Sequence, residues 1–406
     1  MSEIKTKEIN ICMVVFSSYP IDVRVRREAE ALIAEGMKVD VICRTSRGEL
    51  PQENVRGVNA YRLKLNRKRA GKIGYIWEYL YFFMWAFWKV TVLNFSKHYD
   101  IVHVHNMPDF LVFTGFIPKL FGCKSVIDLH DPMPELFTSI FKTSQDSFVY
   151  KFLLKIEKFS IWYSDVVITP NIAFKNIFSK RSCAENKINI IMNSPDENVF
   201  KYFNETDRSE SLKSKYVLMY HGAIIEQHGL DIGLKAVALL RNKIPNIKLV
   251  IFGSGNFQSK AEKIIDELSI KDLVEIKGSV INDEIAMFIP KIDLGIIPNR
   301  LNNFTQLNFP VRIFEYLINK KPVIVPRTKG ISDYFGEESI FYFEPGNAEN
   351  LAEKIYEVYT NENYREDTLQ KAISVYQNYR WQDQKKQLAK IERELVKDKL
   401  NNSKLL

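Results

Sequence analysis

Cysteine is scarce and scattered. Cys12, Cys43, Cys123 and Cys183 are the only four, and none stands at metal-clip spacing from another cysteine or a histidine. A disulfide framework and a zinc knuckle are thereby excluded, and the thiols read as reduced, cytosolic core filler. Glycine, serine and proline form no rich tract, and no internal repeat of useful length appears. The start, MSEIKTKEIN, is charged and leads into a strand-like run, so no signal peptide is expected. Acidic charge is in deficit: the net charge is +8. A basic excess suggests an anionic partner, whether nucleic acid, phosphate groups or a membrane surface.

What is present is globular. Hydrophobic residues make up 46% and charged residues 26% of 406 positions. That length suits two domains of about 200 residues rather than one core. Short apolar runs alternate with helical patterns. Ile9–Phe16 is followed by a helix over about Val23–Glu35, closed by Gly36, and by a strand over Val39–Cys43. The runs at 99–105, 124–130 and 164–170 continue the series. The polar segment 193–215 is weakly periodic and marks a domain boundary. The pattern then restarts at 216–222, 247–255, 274–280, 293–299 and 339–343, and the tail from about Leu351 is helical. Strands alternating with helices predict two α/β domains with parallel sheets, facing across a cleft. Ligands then gather at the carboxyl ends of the strands.

The stretch LNFPVRIFEYLINKKPVIVP (307–326) carries a carboxylate and a guanidinium on one short helix. Pro310 suits the first helical turn, so the helix is expected to start there. Arg312 and Glu315 are three apart and share a face. An anion near the helix start with Arg312, and a sugar diol on Glu315, would use every feature. An intrahelical Arg–Glu pair is the plainer alternative. Gly222 and Gly229 flank YHGAIIEQHG, and Gly253 and Gly255 follow the next strand, where backbone can approach a phosphate closely. Ordinary turns would also use glycines there.

The order of Gly222, Gly229, Gly253 and Gly255, then FPVRIFEYLINKKPVIVP, resembles glycosyltransferase family 4, the nucleotide-sugar-dependent enzymes of GT-B fold. SSYPIDVRVRREAEALIAEGMKVDVIC, YDIVHVHNMPDFLVF and DLHDPMPELF resemble its acceptor domain. The resemblance spans nearly the whole chain. It implies an acceptor-binding domain over 1–195, a nucleotide-sugar-binding domain over 210–375, and a last helix near 380–400 that packs back on the first domain.

The resemblance also implies retention of configuration without a metal, and the chain has no Asp-x-Asp pair to hold a cation. The donor is a nucleoside-diphosphate sugar of UDP or GDP type, with no further cofactor. Glu315 holds the ribose, Gly222, Arg300 and Arg312 the diphosphate, and Lys277, Gly278 and Ser279 form the loop near the base. His228 stands where the family often has Lys. Leu307 stands where it tends to have Glu, so Gln306 or the backbone near Asn308 would replace that contact with the donor sugar. His130 is set against the donor sugar and Asp131 against the acceptor hydroxyl. A histidine at a strand end also satisfies nearby backbone in many folds. His103 reads as structural; His105 and Asp109 are left open.

GYIWEYLYFFMWAFWKVTVLNF (74–95) is aromatic on all faces and follows the basic RLKLNRKRAGK (62–72). Its length permits a membrane span, but Glu78 and Lys89 interrupt it and it lies inside one domain. A basic run before an aromatic helix suits an anionic bilayer surface through 62–95; a core helix with a solvated basic loop is the alternative. The favoured expectation is a peripheral enzyme at the inner face of the cell membrane. It would act on a glycan or polyprenyl-diphosphate-linked acceptor in cell-surface polysaccharide assembly. A degenerate transferase that only scaffolds a membrane assembly is the second reading. Nucleic-acid binding ranks last, because no stacking platform accompanies the basic residues.

Overall fold

The computed structural model describes residues 8–46, 48–65, 71–201, 208, 210 and 212–402, with backbone alone at 71–73, 75 and 398–402. The chain divides into two compact units, 1–193 with 383–406, and 194–382.

The first unit is built on strands β1 (Asn10–Ser18), β2 (Lys38–Arg44), β3 (Gln52–Val55), β4 (Val58–Leu63), β5 (Ile101–His105), β6 (Lys124–Asp128), β7 (Val166–Thr169) and β8 (Ile188–Ile190). Their order in the sheet is β3-β4-β2-β1-β5-β6-β7-β8. Every described pairing is parallel except β3 with β4. That hairpin turns through Arg56 and Gly57, both at positive φ (53° and 87°), as a two-residue turn requires. Sequence reasoning passes over it because Gln-Glu-Asn carries no strand signature. Strand β5 is buried throughout and β6 from Ser125 onward, as a sheet covered on both faces demands.

The first helix, Val23–Ala34, is capped by Asp22, whose side chain accepts from Val25 N. The last helix, Trp381–Asn402, joins the first unit. Gln384 Oε1 accepts from Met192 N at 2.8 Å, and Arg393 reaches the Glu35 carboxylate at 2.7 Å.

The aromatic segment is one helix, Gly71–Lys97. Phe82, Ala86 and Val90 face the core, whereas Trp77, Tyr81, Met84, Trp88, Val92 and Phe95 form a stripe 45–67% exposed. Its rings lie on exposed (Trp77, Tyr81, Trp88, Phe95), half-buried (Tyr79, Phe83, Trp85, Phe87) and buried (Phe82) faces alike. Among the described residues no helix is long and apolar enough to cross a membrane. Of the basic run before it, 66–70 lie outside the described residues. Arg62 is no surface cation: its guanidinium is buried and bonds the Tyr19 and Leu50 carbonyls and Glu53.

The second unit carries β9 (Tyr216–His221), β10 (Ile247–Phe252), β11 (Val274–Gly278), β12 (Leu294–Ile296), β13 (Val323–Pro326) and β14 (Phe341–Phe343). The order is β11-β10-β9-β12-β13-β14, all parallel. A core of Leu218, Tyr220, Leu249, Ile251, Leu294 and Ile324 joins this sheet to the helices Leu230–Leu240 and Ala348–Thr360. Strand order reverses between β1 and β5 in the first unit and between β9 and β12 in the second. Crevices for ligands open at the carboxyl ends of such switch points.

Candidate functional site

The second unit's switch point is organised around His221, the last residue of β9. The helix that follows β12 runs from Arg312 to Ile318, two residues later than Pro310 implies. Arg312 and Glu315 do not pair with each other; both turn to His221. Arg312 Nη1 donates to the His221 carbonyl, and Nη2 reaches Asn299 Oδ1 at 3.3 Å. Glu315 Oε2 lies 2.6 Å from His221 Nε2. Tyr316 Oη sits 2.8 Å from His221 Nδ1 and 3.0 Å from the Met219 carbonyl. Burial pulls the His221 imidazole below its ordinary range, and Glu315 only partly offsets it. A carboxylate can only accept, so a ring proton sits on Nε2. Glu315 keeps its other oxygen without a hydrogen bond among the described residues, on a side chain 12% exposed.

The glycines serve packing between loops. Gly222 has φ +129°, and a Cβ there would stand 2.8 Å from Arg312 Nη1. At Gly253 (φ +150°) a Cβ would overlap the Gly222 carbonyl, and at Gly255 the Ile224 carbonyl. Gly229 (φ +62°) presses on the Pro298 carbonyl. Backbone bonds tie the same loops: Gly222 N to Phe252 O at 2.9 Å, Ile224 N to Ser254 O at 2.9 Å, and Gly253 N to Gly278 O at 2.7 Å. Glycine at these places brings three loops within hydrogen-bond distance.

Of the other expected residues, Ser279 joins this cluster through Ser254, hydroxyl to hydroxyl at 2.6 Å. Lys277 is occupied by Glu275 at 2.5 Å. Arg300 pairs with Asp231, and its backbone N bonds Gln227 O at 3.0 Å. Gln306 O accepts from Gly330 N at 2.8 Å, and a Cβ at Gly330 would meet the Leu307 and Asn308 carbonyls. His228 is not a substitute cation. Burial and the charge of Arg312 bring its imidazole down to about 4, and Nδ1 donates to Ala223 O at 2.8 Å.

The first unit holds a second constellation at the carboxyl ends of β5 and β6. Asp128 is fully buried and takes Arg24 Nη2 at 2.6 Å and 2.8 Å, with Nε at 3.1 Å. His130 Nε2 meets Asp128 Oδ2 at 3.0 Å, and His105 Nδ1 lies 3.3 Å from the same oxygen. Arg24 holds the Asp128 carboxyl well below the usual carboxylate range despite its burial. Burial keeps His105 neutral, near 3. His130 Nε2 thus faces both Asp128 Oδ2 and His105 Nδ1, the latter also at 3.0 Å, while its Nδ1 makes no hydrogen bond among the described residues. Asn106 pins the loop: its Oδ1 accepts from His130 N at 2.8 Å, and Nδ2 donates to Asp131 O at 2.8 Å and Asp109 at 2.9 Å. The Asp131 carboxyl makes no hydrogen bond among the described residues, and burial raises it. Asp109 is also buried and is pushed up to about 7.

Beneath lie His103 and Glu28. His103 Nδ1 bonds Glu392 at 2.7 Å and stacks on His105 with centroids 4.6 Å apart. Glu28, His103, His105 and Asp128 bring four ligand atoms within 4.8 Å of one another. Arg24 bonds Glu28 at 3.0 Å as well as Asp128, so the donor set fits a guanidinium before it fits a divalent ion. A cavity of about 230 Å³ opens beside this cluster at the ends of β1, β2 and β5, between Ser17, Asp22, Arg44, Glu78, Tyr79 and Asn106. Sequence reasoning missed His221, Tyr316, Asp128, Arg24 and Asn106. The one available signal was Arg24 and Glu28 at helical spacing on the buried side of an otherwise charged helix.

Residues 21–193 match the glycosyl transferase 4-like domain, and residues 203–375 match glycosyl transferases group 1. The chain belongs to the family 4 glycosyltransferases. This family 4 chain is 24% identical over 371 residues to an uncharacterized glycosyltransferase of Methanocaldococcus jannaschii, across 87% of the chain and 88% of the relative. It is 24% identical over 232 residues to the capsular polysaccharide biosynthesis glycosyltransferase CapM of Staphylococcus aureus, across 54% of the chain and 58% of CapM. HepE of Anabaena, solved in complex with UDP, superposes with a TM-score of 0.72 at 15% identity, over 95% of the family 4 chain and all of HepE. The fold is GT-B.

Proposed function

We propose that the chain is a retaining, metal-independent transferase moving a sugar from a UDP- or GDP-sugar to a glycan or polyprenyl-diphosphate-linked acceptor. It would work at the inner membrane face in cell-surface polysaccharide assembly. The observation that carries this is the convergence of Arg312 and Glu315 on His221 at a parallel-sheet switch point, within the matched group 1 region. One Glu315 oxygen is fixed by His221, which leaves the other for a ribose hydroxyl. Backbone N–H groups near Gly222, with Arg312 and Arg300, stabilise the leaving diphosphate. Lys277, Gly278 and Ser279 flank the base, and Gln306 and Asn308 the donor sugar. In the first unit His130 Nδ1 accepts from a donor-sugar hydroxyl, and Asp131 takes the acceptor hydroxyl. The acceptor attacks on the leaving group's own face, and a phosphate oxygen takes its proton. CapM and the UDP bound in HepE support the substrate class. The exposed stripe of the helix Gly71–Lys97 meets the lipid surface.

One observation favours a degenerate scaffold instead. Arg300 is paired with Asp231, Arg312 with the His221 carbonyl, and His228 is neutral. A thermal-shift panel with UDP-, GDP-, ADP- and CMP-sugars, with and without EDTA, separates the two. A shift of several degrees with one nucleotide series, insensitive to EDTA, supports the enzyme. No shift with any nucleotide supports the scaffold.

A further inference from the structure

The helix Phe148–Tyr163 lies outside the aromatic segment. Its inner face is ordinary: Tyr150, Leu153, Ser160 and Ile161 are buried. Its outer face carries Phe148, Phe152, Phe159 and Trp162, exposed by 83%, 51%, 63% and 74%. Phe148 and Phe152 stack on each other in the open, with centroids 6.3 Å apart. Lys151, Lys155 and Lys158 are exposed between these rings. The helix has one acidic residue, Glu157, and it is fully buried against Arg181 and Ser182. The exposed face therefore carries rings, Val149 and positive charge, with no carboxylate.

A water-facing helix has no use for four large rings, and a core helix has no use for three exposed lysines. Aromatic rings with interleaved lysines and no exposed carboxylate match an anionic lipid surface, where rings enter the acyl boundary and ammonium groups meet phosphates. The face is also continuous with the first aromatic helix. Phe95 of that helix packs on Phe121 at 5.9 Å, and both are exposed. Leu120 beside it is 69% exposed. Lys119 bonds the Tyr163 carbonyl at 2.5 Å, which brings this edge to the end of the second helix.

We infer that the helix Phe148–Tyr163 is a second lipid-docking element, binding an anionic bilayer through Lys151, Lys155, Lys158 and the rings around them. It extends the membrane reading given above and does not depend on donor chemistry.

The test is co-sedimentation of the full chain with vesicles of phosphatidylglycerol and phosphatidylcholine, and of phosphatidylcholine alone. The variants are Lys151→Gln/Lys155→Gln/Lys158→Gln, Phe159→Ser/Trp162→Ser and Trp77→Ser/Trp88→Ser. Each lysine lost should weaken binding to the anionic vesicles roughly fivefold, the equivalent of about 1 kcal/mol at such a surface. The triple variant should thus bind on the order of a hundredfold less, with its melting temperature and nucleotide-induced shift retained. Unchanged binding of the triple variant, with loss only in Trp77→Ser/Trp88→Ser, overturns the inference. So does failure of the unaltered chain to bind anionic vesicles. A dimer in sedimentation velocity that dissolves in Phe159→Ser/Trp162→Ser overturns it too, by assigning the face to a second copy.

Discussion

Glu315 and His221 meet at 2.6 Å, carboxylate to imidazole, across the carboxyl end of β9. Neither acts alone: the histidine orients the carboxylate, and the carboxylate fixes a ring proton on Nε2. Glu315→Ala should abolish transfer and leave a buried N–H without an acceptor, at a cost of about 1–3 kcal/mol. Glu315→Gln retains an acceptor, so its melting temperature should stay near that of the unaltered protein while kcat/KM falls. Melting curves and initial rates on both variants check this. Full activity in Glu315→Ala would remove the ribose role.

His228 offers no charge at neutral pH, because burial and Arg312 keep its imidazole near 4. His228→Lys should therefore tighten binding of a nucleoside diphosphate several-fold and steepen its salt dependence. Calorimetric titration at two salt concentrations reads both. An unaltered affinity would show that position 228 does not face the diphosphate.

Asp109 is raised to about 7 by burial and the nearby Glu157, against a pull from Asn106. An acid held above its unfolded value binds more protons folded than unfolded, so its contribution falls as pH rises from about 4 to about 7. Asp109→Asn should raise stability at pH 8, by at most a few kcal/mol on the order expected for such a shift. At pH 4 it should change little. Denaturant titrations at the two values decide it.

Gly253 and Gly278 both have positive φ, but only Gly253 is crowded, against the Gly222 carbonyl. Gly253→Ala should disrupt the joined loops and eliminate any nucleotide-induced thermal shift. Gly278→Ala meets open space and should cost only the backbone strain, about 1–2 kcal/mol. Equal effects in the two variants would contradict the loop geometry.

Trp77 and Trp88 are exposed, whereas Trp85 turns toward Phe82 with centroids 6.0 Å apart. Trp77→Ser/Trp88→Ser should weaken vesicle binding with little loss of stability, and Trp85→Ser should do the reverse. Vesicle sedimentation beside melting curves separates the two faces.

Alternation of apolar runs with helical periods determined the α/β class and most strands, because a strand covered on both faces is apolar at most of its positions. Family 4 membership was likewise legible, since the glycine spacing and FPVRIFEYL stand in the chain itself. Other features depended on atoms far apart in sequence. Arg312 and Glu315 could equally have paired along their helix, and only the fold brings a strand end 94 residues away between them. The glycines after the strands fitted phosphate approach, yet the packed loops take up their Cβ directions. Arg24, from the first helix, sets the charge of Asp128 across 104 residues. That His228, at the family's usual Lys position, is held low follows only from its burial beside the Arg312 guanidinium. Periodicity is a local property that the chain declares on its own; a hydrogen-bond partner, a buried charge and an exposed face exist only once distant segments are packed together.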